Sequence, residues 1–568
     1  MKHFKNIWDW CRNQEILFAI FIIMMIIPNI LLCFTEFTSP FTKVISIILP
    51  LSIFWILMTL TKKPGKMLWI LFLFVFFNAF QMVLLYLFGE AVIAVDMFLN
   101  LTTTNSGEVS ELLGNLLPAL LSVCILYISI LTLAVLSLLN KKELSLAFRK
   151  SQRKLAFILL GISGMCVGIN YAINSDFDIR TDIYPINVCY NVGLAVDRDM
   201  KTRDYFKTSE GFTFNAKSIH AKTEKEVYIF VVGETARAEN FGIYGYKRNT
   251  TPNLSKMPGL AVFTDALSQS NTTHKSVPML LSAASAENYD CIYKQKGIIS
   301  AFKEAGFSTA FYSNQQPNRS FIDFFAAEAD RTKFLREGLP DSVNLTDSIL
   351  LNCVEKELKT YKGNKLFIVL HMYGSHFNYQ GRYPKNDAVY KPDTVFSASY
   401  DQRHVLRNAY DNSIHYTDTF LSKLMKMVEA TSVSSAIVYT SDHGEDIFDD
   451  DRQLFLHASP VPSAHQLYVP YLIWLSEEYK SLHNANYRNI MANQRKSIST
   501  NLVTFHTILS LGGISTPALM RCNSLADSLF KEKQRFYLND HNRPKPMDKI
   551  GLRDEDIDIF NQYKIVFP

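Results

Sequence analysis

Charge is what long parts of this sequence lack. Residues 16–35, 44–61, 67–89, 112–140 and 155–175 contain no Asp, Glu, Lys or Arg. Each stretch is long enough to cross a hydrocarbon core, which takes roughly 20 helical residues. A small-residue cleavage site is missing after the first stretch and four more stretches follow, so a removed signal peptide is excluded. Ionisable groups inside the stretches are too few to line a transport path. No basic stripe of the kind that binds nucleic acid is present, and no internal repeat marks a solenoid. The eight cysteines form no CxxC pattern, which removes that type of thiolate metal site.

What is there divides in two. At 568 residues the chain exceeds one ordinary domain, and its net charge of +5 averages an apolar first part with a soluble-looking remainder. We read residues 1–175 as a transmembrane domain of five helices, 176–225 as a polar connector near the membrane surface, and 226–568 as an exported α/β domain. Charge sets the orientation. Lys2, Lys5 and Arg12 precede the first stretch, and Lys62, Lys63 and Lys66 separate the second from the third. Lys141, Lys142, Arg149, Lys150, Arg153 and Lys154 separate the fourth from the fifth. The other loops carry Glu36 and Lys43, then Glu90, Asp96, Glu108 and Glu111. The positive-inside rule puts the N-terminus in the cytoplasm and, after five crossings, everything beyond residue 176 outside. There Cys189, Cys291, Cys353 and Cys522 could be oxidised, but their wide spacing shows no pairing.

Four short apolar runs punctuate the exported part: 227–232 (VYIFVV), 366–370 (LFIVL), 436–440 (AIVYT) and 469–475 (VPYLIWL). Such runs suit strands buried on both faces, and Pro470 points to a strand start or an edge. Helical patterns such as 413–427 lie between them, so a mostly parallel central sheet is expected. Beyond three of the strand ends come Glu234, then His371 and His376, then Asp442 and His443. Ligands bind just beyond the carboxyl ends of parallel strands, and chance seldom gathers carboxylates and imidazoles there.

Taken singly, Glu234 would serve as a helix N-cap and Asp442 as a turn residue before Gly444. Together Glu234, Asp442 and His443 offer two oxygens and a nitrogen, a set suited to Zn2+ or Mn2+. The segment 270–282 (SNTTHKSVPMLLS) has a turn-like start and a helical continuation. A hydroxyl there, bound to a divalent ion at a helix N-terminus, would lose its proton readily where backbone N–H groups receive phosphate. The residues themselves leave Thr272, Thr273 and Ser276 open, one of them serving simply as an N-cap. His371, His376 and His457 form a second group, fit to hold a second cation, contact phosphate oxygens or protonate a leaving alkoxide. His404, His415 and His465 are read as structural. The acidic run Glu445, Asp446, Asp449, Asp450 and Asp451 is read as a solvated loop, with contact to a substrate ammonium as the lesser alternative.

These segments resemble the phosphoethanolamine transferases of bacterial envelopes, within the alkaline-phosphatase/sulfatase superfamily. The likeness rests on VVGETARAENFGIYGYKRNTTPNL at 231–254, THKSVP at 273–278, HMYGSH at 371–376, YDNSIHYTD at 410–418 and SDHGE at 441–445. The five-helix anchor fits as well, so the likeness covers nearly the whole chain. It implies an alkaline-phosphatase-like (sulfatase-type) domain in the periplasm, anchored in the bacterial inner membrane. It implies Thr273 as nucleophile and one tightly bound zinc on Glu234, Thr273, Asp442 and His443. A second ion or the substrate phosphate falls to His376 and His457 with His371 as companion, and a looser correspondence adds Asn314, Gln315 and Arg319. Phosphatidylethanolamine is the implied donor and lipid A or another envelope glycan the implied acceptor, joined by a phospho-threonine intermediate.

The sequence departs from that family in places. Gln269 and Met279 stand where cysteines often clamp the nucleophile region, and four exported cysteines permit at most two of the three common disulfides. This bears on the rigidity of the Thr273 loop rather than on its chemistry, and hints at a branch distant from the best-known lipid A enzymes. Three rivals share parts of the pattern. A phosphoglycerol transferase of the lipoteichoic-acid-synthase type has a similar anchor. A sulfatase-like hydrolase would carry S-x-P-x-R, but Leu280 replaces the arginine. A non-catalytic receptor with a degenerate site would not need every expected metal ligand, and all are present.

Overall fold

The computed structural model describes residues 13–566, except 37, 90, 91, 104, 105, 176, 340–342, 344 and 397. Lys2, Lys5, Arg12 and Glu90, used above, lie outside the described residues. The chain folds as two units, residues 1–99 with 113–197, and residues 100–112 with 198–568.

The apolar stretches become α1 (Gln14–Thr35), α2 (Pro40–Met58), a bent pair α3 (Pro64–Ile70) and α4 (Phe72–Phe88), then α5 (Ser106–Leu139) and α6 (Leu146–Ile173). Four of these are long and apolar enough to cross a membrane, and the pair α3–α4, apolar enough together but bent by 71°, is either a broken fifth span or a re-entrant loop. The expected straight helix over 67–89 is therefore broken. Pro64 starts it at a position where a missing N–H is harmless, and Leu71 leaves the helical well at φ −89°, ψ 16°. Polar groups between these helices find partners, as a solvent without water demands. Asn29 Nδ2 donates to the carbonyls of Ser46 (2.8 Å) and Tyr184 (2.7 Å), and the Tyr184 hydroxyl donates to Asn78 (2.8 Å). Ile23, Phe34, Leu73, Ile125, Leu139 and Met165 face outward, an apolar surface suited to lipid.

The stretch read as a turn-rich connector carries a helix, α7 (Ile186–Arg203). Its buried positions Val188, Asn191, Ala195 and Arg198 recur at helical spacing. Asn and Arg among them hid the stripe from a search for apolar periodicity.

The second unit is built on seven strands: β1 (Glu226–Gly233), β2 (Leu260–Phe263), β3 (Ser308–Ser313), β4 (Arg331–Phe334), β5 (Lys365–His371), β6 (Ser434–Ser441) and β7 (Tyr471–Leu475), in the order β2-β7-β6-β1-β5-β3-β4. From β6 to β4 every pair is parallel, while β7 runs antiparallel to β6 and β2. Alternate residues of β1 feed different cores. Tyr228, Phe230 and Val232 join one, with Val277, Leu280, Phe505 and Ile508. Val227, Ile229 and Val231 join the other, with Leu406, Ile414 and Leu421. Burial on both faces is why VYIFVV is continuously apolar rather than alternating. The covering residues sit on α8 (Thr273–Leu280), α9 (Arg403–Glu429) and, after a short helix α10 (Glu477–Leu482), α11 (Thr500–Leu511). Pro470 precedes β7, which lies inside the sheet and not at its edge.

Candidate active site

Glu234 leaves β1 directly, and Asp442 and His443 leave the neighbouring parallel strand β6, so the sheet register brings them together. All three are buried, at 1%, 0% and 0% exposure. Thr273 opens α8, whose preceding residue Thr272 has extended backbone. The Thr273 hydroxyl lies 3.2 Å from Glu234 Oε1 and 3.0 Å from His443 Nε2. His443 Nε2 is 3.2 Å from Asp442 Oδ2 and 3.6 Å from Glu234 Oε1. The other two hydroxyls left open above face elsewhere. Thr272 bonds Ser270 (3.1 Å), and Ser276 donates to the Asp442 carbonyl (2.6 Å).

These donors fit a divalent ion. Bonds of about 2.0 Å in a tetrahedron put ligand atoms roughly 3.3 Å apart, close to the spacings just given. His443 Nδ1 donates to the Gly444 carbonyl (2.9 Å), which fixes the tautomer and leaves the Nε2 lone pair toward the group. Asp442 Oδ2 is buried and accepts no hydrogen bond. Burial raises the Asp442 carboxyl to about 6. It pushes His443 well below the usual imidazole range, with the neighbouring His457 adding to the effect. Two buried carboxylates beside a neutral imidazole call for a cation.

Gln315 sits behind this group. Its amide donates to Glu234 Oε2 (3.1 Å) and to the Met372 carbonyl (2.8 Å), leaving Glu234 Oε1 toward Thr273. The sequence expected Gln315 at the substrate; in the structure its amide is bonded to Glu234 and Met372 beside the Thr273 group. Asn314 is fully buried and donates to Leu345 (3.1 Å) and Asp347 (2.9 Å). Arg319 is exposed, and its backbone N–H bonds Asp323. Neither side chain joins the Thr273 group.

His376 and His457 do approach it. The His457 ring lies 4.3 Å from that of His443 and 5.9 Å from that of His376. His457 Nδ1 is held by Glu445 (3.2 Å). Burial, with Arg382 and His457 nearby, lowers His376 to about 3, so this imidazole is neutral. His371 is set back, bonded through Nδ1 to Ser313 (3.1 Å) and lowered to about 4 by burial.

The surrounding motifs act as a frame. Tyr410 on α9 receives the Arg237 N–H (2.9 Å) and donates to the Thr235 carbonyl (2.7 Å). Asp411 accepts from Asn240, Tyr246 and Arg248, and Asp418 from Asn253 and Leu254. The 410–418 and 231–254 segments are thus two halves of one clasp. Gly374 has φ +55°, and a Cβ there would lie 2.5 Å from the Glu234 carbonyl, so the turn after β5 can close on Glu234. The Thr273 loop is tied by amides where family cysteines were expected. Gln269 accepts from Ala286 (3.1 Å) and donates to Glu287 (3.1 Å), while Asn501 takes the Gln269 N–H (2.7 Å) and donates to Ser276. The acidic run is not a solvated loop: Glu445 and Asp446 are buried, and Asp449 pairs with Arg237 (2.7 Å).

Relatives carry the same architecture. The phosphoethanolamine transferase EptC of Escherichia coli (strain K12) is 27% identical over 335 residues, 57% of each chain. The Kdo(2)-lipid A phosphoethanolamine 7''-transferase of the same strain is 28% identical over 352 residues, 60% of this chain and 61% of that one. The matched part therefore spans about three fifths of these relatives. The C-terminal periplasmic domain of Escherichia coli EptC in complex with Zn superposes with a TM-score of 0.55 at 25% identity, covering 60% of this chain and 97% of that one. The integral membrane lipooligosaccharide phosphoethanolamine transferase A of Neisseria meningitidis shares the fold, with a TM-score of 0.70 at 20% identity over 90% of this chain and 97% of that one. The sulfatase family model matches residues 226–514, the span that holds every strand of the seven-stranded sheet together with Glu234, Thr273, Asp442 and His443, and the chain belongs to that family.

Proposed function

We propose that this protein is a zinc-dependent phosphoethanolamine transferase of the bacterial inner membrane. On this reading Thr273 takes phosphoethanolamine from phosphatidylethanolamine and passes it to lipid A or another envelope glycan. The observation that carries the reading is the Thr273 hydroxyl, set at a helix N-terminus within 3.2 Å of both Glu234 Oε1 and His443 Nε2. Glu234, Asp442, His443 and Thr273 would hold the zinc, with Mn2+ the alternative ion and the His376–His457 pair a place for a second. A bound zinc favours the alkoxide form of a coordinated hydroxyl and stabilises charge on phosphoryl oxygens.

Thr273 Oγ1 attacks phosphorus, and the bond to the diacylglycerol oxygen breaks. His376 and His457 are placed to orient phosphoryl oxygens, and His457 or a water delivers the proton that the leaving alkoxide needs. An acceptor hydroxyl or phosphate oxygen then attacks the same phosphorus and the Thr273 Oγ1–P bond breaks, returning the enzyme. The N-terminus lies in the cytoplasm and the second unit in the periplasm. Anchoring in the bilayer keeps the enzyme on the surface that contains its donor.

The test is intact mass spectrometry of the purified protein after incubation with phosphatidylethanolamine, with peptide mapping. A phosphoethanolamine adduct on Thr273, absent from Thr273→Ala, is the expected result. That variant should keep most of its zinc and lose transfer at least about 1000-fold. Ser276→Ala should cost far less. An adduct formed only from phosphatidylglycerol would move the protein to the phosphoglycerol transferases. No adduct and no diacylglycerol release with either lipid would overturn the transferase reading.

A further inference from the structure

A second set of ligand-type side chains gathers at the opposite end of β1. His220 and Glu224 lie on the loop before β1, and His483 ends α10; one donor atom from each lies within 4.8 Å of the other two. All three are half-buried. The two imidazole rings stack at 4.0 Å with an interplanar angle of 18°, and His483 Nε2 is 2.7 Å from Glu224 Oε1.

Several features fix His220 for more than packing. Its Nδ1 faces the buried Glu226 carboxylate at 3.0 Å. Glu226 is in turn held by the Tyr228 hydroxyl (2.8 Å) and by Lys365. That chain is the arrangement in which a metal-binding histidine is usually oriented: one ring nitrogen on a carboxylate, the other left to the ion. A Cβ built on Gly513 would lie 2.3 Å from both Cδ2 and Nε2 of His220 and 2.6 Å from Cε1, which puts it over the ring face. His483 stacks on the same ring, and with Nδ1 turned to Glu226 it is Nε2 that remains for a ligand. The formal charge is also uneven. Glu226 is balanced by Lys365, whereas the charged partner of Glu224 is the imidazole of His483, neutral unless protonated.

We infer that His220, Glu224 and His483 form a structural zinc site, distinct from the Thr273 group. Two imidazoles and one carboxylate are a donor set for Zn2+, with water completing four-coordination. Binding draws the three donors toward the roughly 3.3 Å edges of a tetrahedron, which requires the rings to tilt toward a shared ion. The site lies at Glu226, one strand-length from Gly233, or about 23 Å at 3.3 Å per residue, so it takes no part in chemistry at Thr273. It would instead pin the 219–225 loop to the turn after α10.

The test is zinc binding by the full-length protein in detergent, stripped with a chelator and titrated with zinc alone. Bound ions are counted by elemental analysis and unfolding temperature is followed in parallel. We expect His483→Ala to bind one zinc per chain fewer than the wild type with transfer activity unchanged. In an Asp442→Asn background, which reads the catalytic group separately, zinc should still raise the unfolding temperature, and adding His483→Ala should abolish that rise. Equal zinc stoichiometry in the wild type and His483→Ala overturns the site. If His483→Ala does not fold, Glu224→Gln serves instead: a loss of at least about tenfold in affinity for this ion supports the site, and unchanged affinity overturns it.

Discussion

At the scale of single residues, Gln315 and His465 each act through a carboxylate they bond, Glu234 for Gln315 and Glu239 for His465. Gln315→Leu keeps the volume but frees Glu234 Oε2 from its donor. We expect zinc affinity to fall about 10- to 100-fold, measured by competition with a chelator, and activity to return with excess zinc. If Gln315 contacts substrate instead, the loss would appear as a raised KM at saturating zinc with metal affinity intact. His465 illustrates linkage. Burial opposes its charged form, but Asp449 and Glu239 outweigh that and hold the imidazolium to about 9. The folded state thus keeps a proton that an unfolded histidine releases near 6.5. Its contribution to stability is complete below that value and disappears as the pH rises through about 9. Urea unfolding across this window should show falling stability, and His465→Gln should flatten the slope.

At the scale of elements, strand ends and loop ties decide what could be read from sequence. The runs 227–232, 366–370 and 436–440 announced β1, β5 and β6 because burial on both faces leaves nothing polar in them. With those strands came Glu234, Asp442 and His443, since each follows its strand without a gap. β3 and β4 were not foreseen: STAFYS mixes hydroxyls with aromatics, and RTKF is an edge strand with exposed polar side chains. Asn501 was invisible for a different reason. It lies 228 positions beyond Thr273 in the sequence order, and an asparagine in a helix announces no partner. Yet it bonds Gln269 N–H and both the carbonyl and hydroxyl of Ser276. Asn501→Ala should destabilise the second unit by about 2–4 kcal/mol, because buried groups lose their partners; chemical denaturation would read it. Loss of transfer should accompany it as the Thr273 loop loosens.

For the whole molecule, the proposed five crossings with an N-terminus in the cytoplasm make a prediction about sidedness. A phosphatase reporter that is active only in the periplasm should work when fused after residue 568 and fail when fused after residue 142, between α5 and α6. Activity at both points, or at neither, would contradict the proposed orientation. The exported unit would also inherit an independence from its surroundings. The Thr273 loop is held by amide hydrogen bonds through Gln269 and Asn501, and every cysteine among the described residues is free. None of these ties to the Thr273 loop runs through a thiol. A reducing turn in the envelope would leave the amide ties that hold this loop as they are.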